Sequence, residues 1–281
     1  MQRVQDPTAV ASQPAPPALS GPTGFFQGAI ASAIVTRVRY WWLNMIQEEL
    51  VAFLTAAGLA LDGSQTVLAA VRILTGFNLQ IVSASGAITV PTGKTSALAL
   101  MWGGGGGGGG TTGSGSIAAG GGGATFGLVR VGNLTPGSGL TMTIGQGGAG
   151  GQSGGNGTGG GATSFDGYAG LTGGAGGQGA GASTIATTPG APGTSLFLYN
   201  GATGWPCYGS SGGTGYVAGS TIVAGSSGAA FGCGSASPSS SSTTAQAGFG
   251  GPNPGQGGSG GLAGGGGGPG SNGLILILWG A

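Results

Sequence analysis

Eight consecutive glycines, Gly103 to Gly110, follow Trp102 and open a region made almost entirely of glycine, serine, alanine and threonine. Such a run has no side chain to bury, and glycine gives up the most backbone entropy when it is ordered. Two outcomes follow. The glycine segments are mobile loops, or they pack as left-handed helices of three residues per turn, whose missing side chains let backbones approach and hydrogen-bond sideways. The stretches 147–161 and 173–181 are dense enough in glycine for the second outcome, with Ala, Ser, Thr and Gln pointing outward. A strict Gly-X-Y period is absent, which excludes a collagen triple helix as the main structure.

From Thr95 to Ala281 the only charged side chains are Arg130 and Asp166. The usual cause of disorder is low hydrophobicity with high net charge. This chain of 281 residues has 39% hydrophobic residues and a net charge of +1, so it is expected to order or associate. Its six basic residues are scattered, so no nucleic-acid partner is expected, because neutralising a phosphate backbone takes clustered Lys and Arg. No run of about 20 apolar residues is present for a membrane span. Met1 to Pro17 lacks the apolar core of a secretory signal.

The chemistry of catalysis is scarce. There is no histidine, which removes Ser–His and Cys–His pairs and the common zinc sites. Glu48 and Glu49 are adjacent on a predicted helix and point apart, and Asp166 is isolated, so no facing carboxyl pair arises. Gly93-Lys94-Thr95 imitates the end of a phosphate-binding loop. Ile88 stands where the motif needs glycine, and a strand follows where it needs a helix. The expectation is therefore no enzyme, no cofactor and no metal site. Cys207 and Cys233 either pair or are two small buried thiols.

Along the chain, residues 1–35 are rich in Pro, Ala and Ser and are expected to form an extended arm. Residues 36–76 carry Val38, Trp41, Trp42, Ile46, Leu50, Phe53 and Leu54 at helical spacing, with Glu48 and Glu49 opposite and Gly58 as the stop. Asp62 and Gln65 then start a second short helix bearing Val67, Leu68, Val71 and Leu74. Two helices of this size cannot bury Trp41 and Trp42 alone, so they need a partner surface. From 77 to 281 the period becomes two or the runs become continuous. Strands are expected at 79–82, 87–90, 98–102, 126–131, 140–144 and 274–279. The apolar closing strand is expected to pair beside the strand that ends at Trp102. The fold class is thus α+β: short N-terminal helices, then a mainly β, glycine-rich head with scope for polyglycine helices.

Tyr199, Trp205, Tyr208 and Tyr216 cluster late in the chain among Gly, Ser and Asn. Exposed, they suit stacking on sugar rings or contact with a partner's apolar surface; buried, they would fill the β core.

Two segments resemble a known family. "TRVRYWWLNMIQEELVAFLTAAGLALDGSQTVLAAVR" is similar to the virion-proximal segment of phage and prophage tail fibre proteins, chiefly through Trp42-Leu43-Asn44, Gln47-Glu48-Glu49-Leu50, Ala57-Gly58 and Leu61-Asp62…Gln65. The remainder, from "GAITVPTGKTSALALMWGGGGGGGG" to "GLILILWGA", resembles the glycine-rich domain at the ends of such fibres. The resemblance implies a homotrimeric fibre on the virion. Trp41, Trp42, Asn44, Gln47, Glu48 and Leu50 would serve attachment and trimerisation. The arm would bind a tail or baseplate protein, and the head would touch a bacterial surface glycan or outer-surface protein. Without a shaft between Leu74 and Phe77, the fibre would be short. The alternative is a capping or decoration protein of the tail that binds no receptor.

Overall fold

The computed structural model describes residues 40–57, 59, 78–232, 234–235, 237–241 and 244–280. The chain divides into two compact units, Met1–Gly76 and Phe77–Ala281.

In the first unit, α1 spans Tyr40–Ala56, a stretch free of glycine and proline. The Leu59 N–H donates to the Leu54 carbonyl at 2.9 Å and closes the last turn. Val51, Leu54 and Ala57 form the buried stripe, with Leu59 against Leu54 and Ala57. The expected stripe ran through Phe53, which is instead 44% exposed. Residues 51, 54 and 57 recur every three, so the buried line is rotated by about one residue position. The extended arm, Gly58 and the second helix lie outside the described residues.

The second unit begins with a β-sandwich. Its first sheet orders β1 (Asn78–Val82), β13 (Leu274–Gly280), β3 (Ser96–Trp102), β4 (Phe126–Val131) and β9 (Thr203–Cys207). Its second orders β2 (Gly86–Thr89), β5 (Gly139–Thr143), β6 (Thr163–Phe165), β7 (Ala169–Leu171) and β8 (Leu196–Leu198). Both are antiparallel. The closing strand does pair with the one that leads to the glycine run, Leu274 opposite Trp102 and Leu278 opposite Leu98. Strand alternation sends Ala97, Ala99, Met101, Val129, Val131, Ile275, Ile277 and Trp279 inward against Leu140, Met142, Phe165 and Leu171 of the facing sheet. Asp166-Gly167 and Asn200-Gly201 both take positive φ. They make the tight turns after β6 and β8 that this dipeptide chemistry favours.

Above the sandwich the glycine segments are helices, packed side by side. Residues 103–111 form the first enclosed one. Gly104, Gly107 and Gly110 donate to Gly161, Thr158 and Gly155; Gly105, Gly108 and Thr111 donate to Ser271, Gly268 and Gly265; Gly106 and Gly109 donate to Gly122 and Ala119. These bonds measure 2.8–3.0 Å and step by three residues, the period of a polyproline II-type helix, which makes no bond within itself. Its carbonyls accept from three further neighbours: Gly148 and Gly151; Gly174, Gly177 and Ala180; and Gly258 and Gly261. A Cβ built on these glycines would point in rotation at backbone of 146–151, 256–259 and 172–178. No face of the run is open, so each of Gly103 to Gly110 meets backbone wherever a side chain would begin.

Residues 118–125 are enclosed in the same way, donating to 255–261, 172–178 and 210–213, while the Ile117 N–H donates to the Thr184 carbonyl. The outer helices keep one open position per turn. It holds Gln146, Ala149 and Gln152 in one helix and Gln256, Ser259 and Leu262 in another. The first set points outward as expected. The second is buried: residues 246–251 lie across Ser259, with the Phe249 N–H donating to Ser259 Oγ at 2.7 Å, the Gln256 side-chain amide donates to Ser227 Oγ and the Gly234 carbonyl, and Leu262 packs with Ile117 and Ile222. Thr163 joins sandwich to bundle: its hydroxyl donates to the Trp102 carbonyl (2.8 Å) and accepts from the Gly145 N–H (3.0 Å).

The far end of the bundle carries β10 (Tyr216–Ala218), β11 (Thr221–Val223) and β12 (Ser239–Ser241) as a three-stranded sheet. Ile117, Ile222, Ala224, Leu262 and Ala263 form a small core beneath it.

Candidate functional site

Among the described residues no three metal-ligating side chains cluster, and no helix is long and apolar enough to cross a membrane. Asp166, the only carboxylate after Asp62 in the sequence, sits in the turn after β6. Its Oδ1 accepts the Thr141 N–H at 2.9 Å, so it ties two strands together. Lys94 follows the Pro91-Thr92-Gly93 turn, where its N–H donates to the Pro91 carbonyl, and it leads into strand β3.

What the second unit offers to a partner is aromatic and apolar surface. Trp205 is 78% exposed, and Tyr199, Tyr208 and Tyr216 are each more than half exposed. They do not fill the core. Phe197, between the partly buried Leu196 and Leu198, points out as well.

The fold separates these residues into two regions. Trp205 lies on β9, the edge of the first sheet, opposite Leu128. Strand alternation puts it on the outer face in one row with Leu128, Leu100, Leu276 and Ile81. At one border of that face Trp102, Phe126 and Phe231 pile up, Phe126 stacking on Phe231 at 4.5 Å, and Trp102 Nε1 donates to the Phe231 carbonyl. Cys207, opposite Phe126, is a free thiol; Cys233 lies outside the described residues. Tyr208 follows β9 directly, and Tyr199 occupies the turn between β8 and β9.

Tyr216 is elsewhere. It begins β10 at the far end, eight residues after Tyr208 in the sequence. At about 3.1 Å per residue that is roughly 25 Å, too far for Tyr208 and Tyr216 to share one small contact. Its neighbour Val217 is also more than half exposed. The turn Ala218–Thr221, closed by the pairing of those two residues, completes this end.

On α1, Trp41, Trp42 and Asn44 fall within the helix and their side chains lie outside the described residues. Gln47, Glu48 and Leu50 are half-buried, while Leu43 and Met45 are exposed.

Sequence reasoning did not find the outer apolar face. Its signal was present: β3, β4 and β13 have large apolar residues at consecutive positions, which fill both faces of a sheet rather than one. Residues 82–280 match a family model described as a glycine-rich domain. No curated protein matches the chain.

Proposed function

Since the chain belongs to the glycine-rich domain family, we propose that it is a non-catalytic attachment protein: a short phage tail fibre that holds its head against a bacterial surface. The observation that carries this reading is the far end of the bundle. Tyr216 and Val217 stand exposed there, roughly 25 Å beyond the sandwich, on a support whose enclosed run Gly103 to Gly110 has no side chains to rearrange. A rigid support with an aromatic, uncharged tip suits recognition of a surface glycan or an outer-surface protein by hydrogen bonds and ring faces.

The N-terminal resemblance supplies the other half. The 36–76 segment, with Trp41, Trp42, Asn44, Gln47, Glu48 and Leu50, would dock three copies to a tail or baseplate protein. The protein would be made in the host cytoplasm and exposed on the extracellular particle. Repetition of weak sites in one fibre raises the effective affinity without any new contact.

The test uses purified, labelled full-length protein. It should bind cells of the host and block adsorption of the particle, and Tyr216→Ala with Val217→Ser should abolish both while leaving the melting temperature in place. If the folded protein neither binds nor competes, the capping or decoration role replaces receptor recognition. If Tyr199→Ala or Tyr208→Ala removes binding and the Tyr216 variant does not, the contact lies at the sandwich.

A further inference from the structure

We infer that the outer face of the first sheet is where a second copy of this chain packs, face to face. Antiparallel sheets ordinarily keep one face polar for solvent. Here the outer face is apolar on every strand. One row runs Ile81, Leu276, Leu100, Leu128, Trp205, and the next begins Leu79, Leu278, Leu98 before reaching Arg130 and Thr203. Ile81 is 63% exposed and Leu128 37%. The apolar face is therefore continuous across the sheet, with Arg130 its only charge.

Its size fits a second copy. Five strands about 4.8 Å apart and about 20 Å of strand length give a plate of roughly 500 Å², at the upper end of what monomers leave exposed. The relief of Trp205, Ile81 and Leu79 brings the accessible area toward the roughly 800 Å² per partner of a standard interface.

Its shape and charge also fit. Two twisted sheets stacked face to face lie closest at the centre and separate toward the edges. The side chains here follow that profile. Leu98 and Leu100 on the central strand and Leu276 beside it are half-buried and low, while the most exposed ones, Ile81 on β1 and Trp205 on β9, stand at the two edges. A charged partner would find only Arg130 to match, whereas an identical face meets it apolar row to apolar row. A two-fold axis along β3 carries the β1 side of one copy over the β9 side of the other, an isologous contact. This pairing is distinct from any assembly through the 36–76 segment; a two-fold contact cannot close among three heads, so in a trimeric fibre it would join the heads of one fibre to those of a second.

The test is sedimentation equilibrium of the full-length protein beside the double variant Leu128→Glu, Trp205→Glu. Both positions are exposed, so the variant should keep the wild-type circular dichroism and melting temperature. The expected result is a mass that halves in the variant at the same concentration, with the dissociation constant of the pair raised about 30-fold or more. A milder variant, Trp205→Ala alone, should give a smaller rise and serves if the double variant does not fold. Three results would overturn the inference: a wild-type mass that does not change with concentration and equals the variant's, an assembly indifferent to both variants, or a face occupied instead by a different protein that copurifies with the wild type and is lost in the variant. Host-cell binding through Tyr216 is read separately, so loss of pairing with binding kept leaves the receptor reading intact.

Discussion

Replacing one glycine of the enclosed run measures how much of the fold rests on backbone contact. In Gly107→Ala the new Cβ would stand 2.5 Å from the Ala149 carbonyl carbon, closer still to its oxygen, and 2.9 Å from the Gly148 oxygen. Carbon atoms rest at about 3.5 Å or more, so the 145–152 segment must retreat by about 1 Å. That stretches the Gly148 to Gly105 and Gly151 to Gly108 bonds, each 2.8 Å, beyond hydrogen-bond range. Both bonds lie among packed backbone in the bundle interior. At about 1–3 kcal/mol for each buried group left unsatisfied, the loss is about 4 kcal/mol. For a unit of this size that lowers the melting temperature by about 8–16 °C. The control is Gly132→Ala, where a Cβ meets nothing within 4 Å; it should be neutral or stabilising by under about 1 kcal/mol. Thermal unfolding followed by circular dichroism compares the two. If Gly107→Ala melts within about 2 °C of wild type, the run is not enclosed and the packing described above is wrong.

Thr163→Val removes the hydroxyl that bridges the Trp102 carbonyl and the Gly145 N–H; a loss of about 2 kcal/mol in denaturant unfolding is expected. Gly201→Ala meets no atom, yet its φ of 75° is strained for alanine, so it should cost about 1–2 kcal/mol by the same measurement. Cell binding by an uncharged tip should change less than about twofold when salt is raised from about 0.1 M to 0.5 M; a steep fall would point to charged contacts instead.

The strands were legible wherever apolar residues ran long enough. The segments at 79–82, 98–102, 126–131 and 274–279 fall on β1, β3, β4 and β13. The short strands were not, because β6 to β12 have only three to five residues set among glycines. Two of their signals were nonetheless plain: Asp166-Gly167 between Phe165 and Tyr168, and Asn200-Gly201 after "SLFLY", are turn dipeptides flanked by apolar residues. The helical bundle was visible as one of two outcomes. Its local phase settles the matter in retrospect: Gln146, Ala149 and Gln152 recur every three residues, as do Thr172, Ala175 and Gln178, and Gln256, Ser259 and Leu262. The phase restarts at every turn, which is why no single period spans the chain. The far-end site was not legible as a place. Tyr208 and Tyr216 are near in sequence, and only the extended helix between them sets them far apart.

The central claim is that the glycine run is a hydrogen-bonded helix inside a rigid bundle. Amide hydrogen exchange of Gly104 to Gly110, resolved by NMR, tests it most directly. Protection comparable to that of Leu100 and Val129 in the sandwich is the predicted result, since these amides open only when the whole unit does. Exchange at the rate of an unstructured peptide, with the strands still protected, would contradict it and return the glycines to mobile loops.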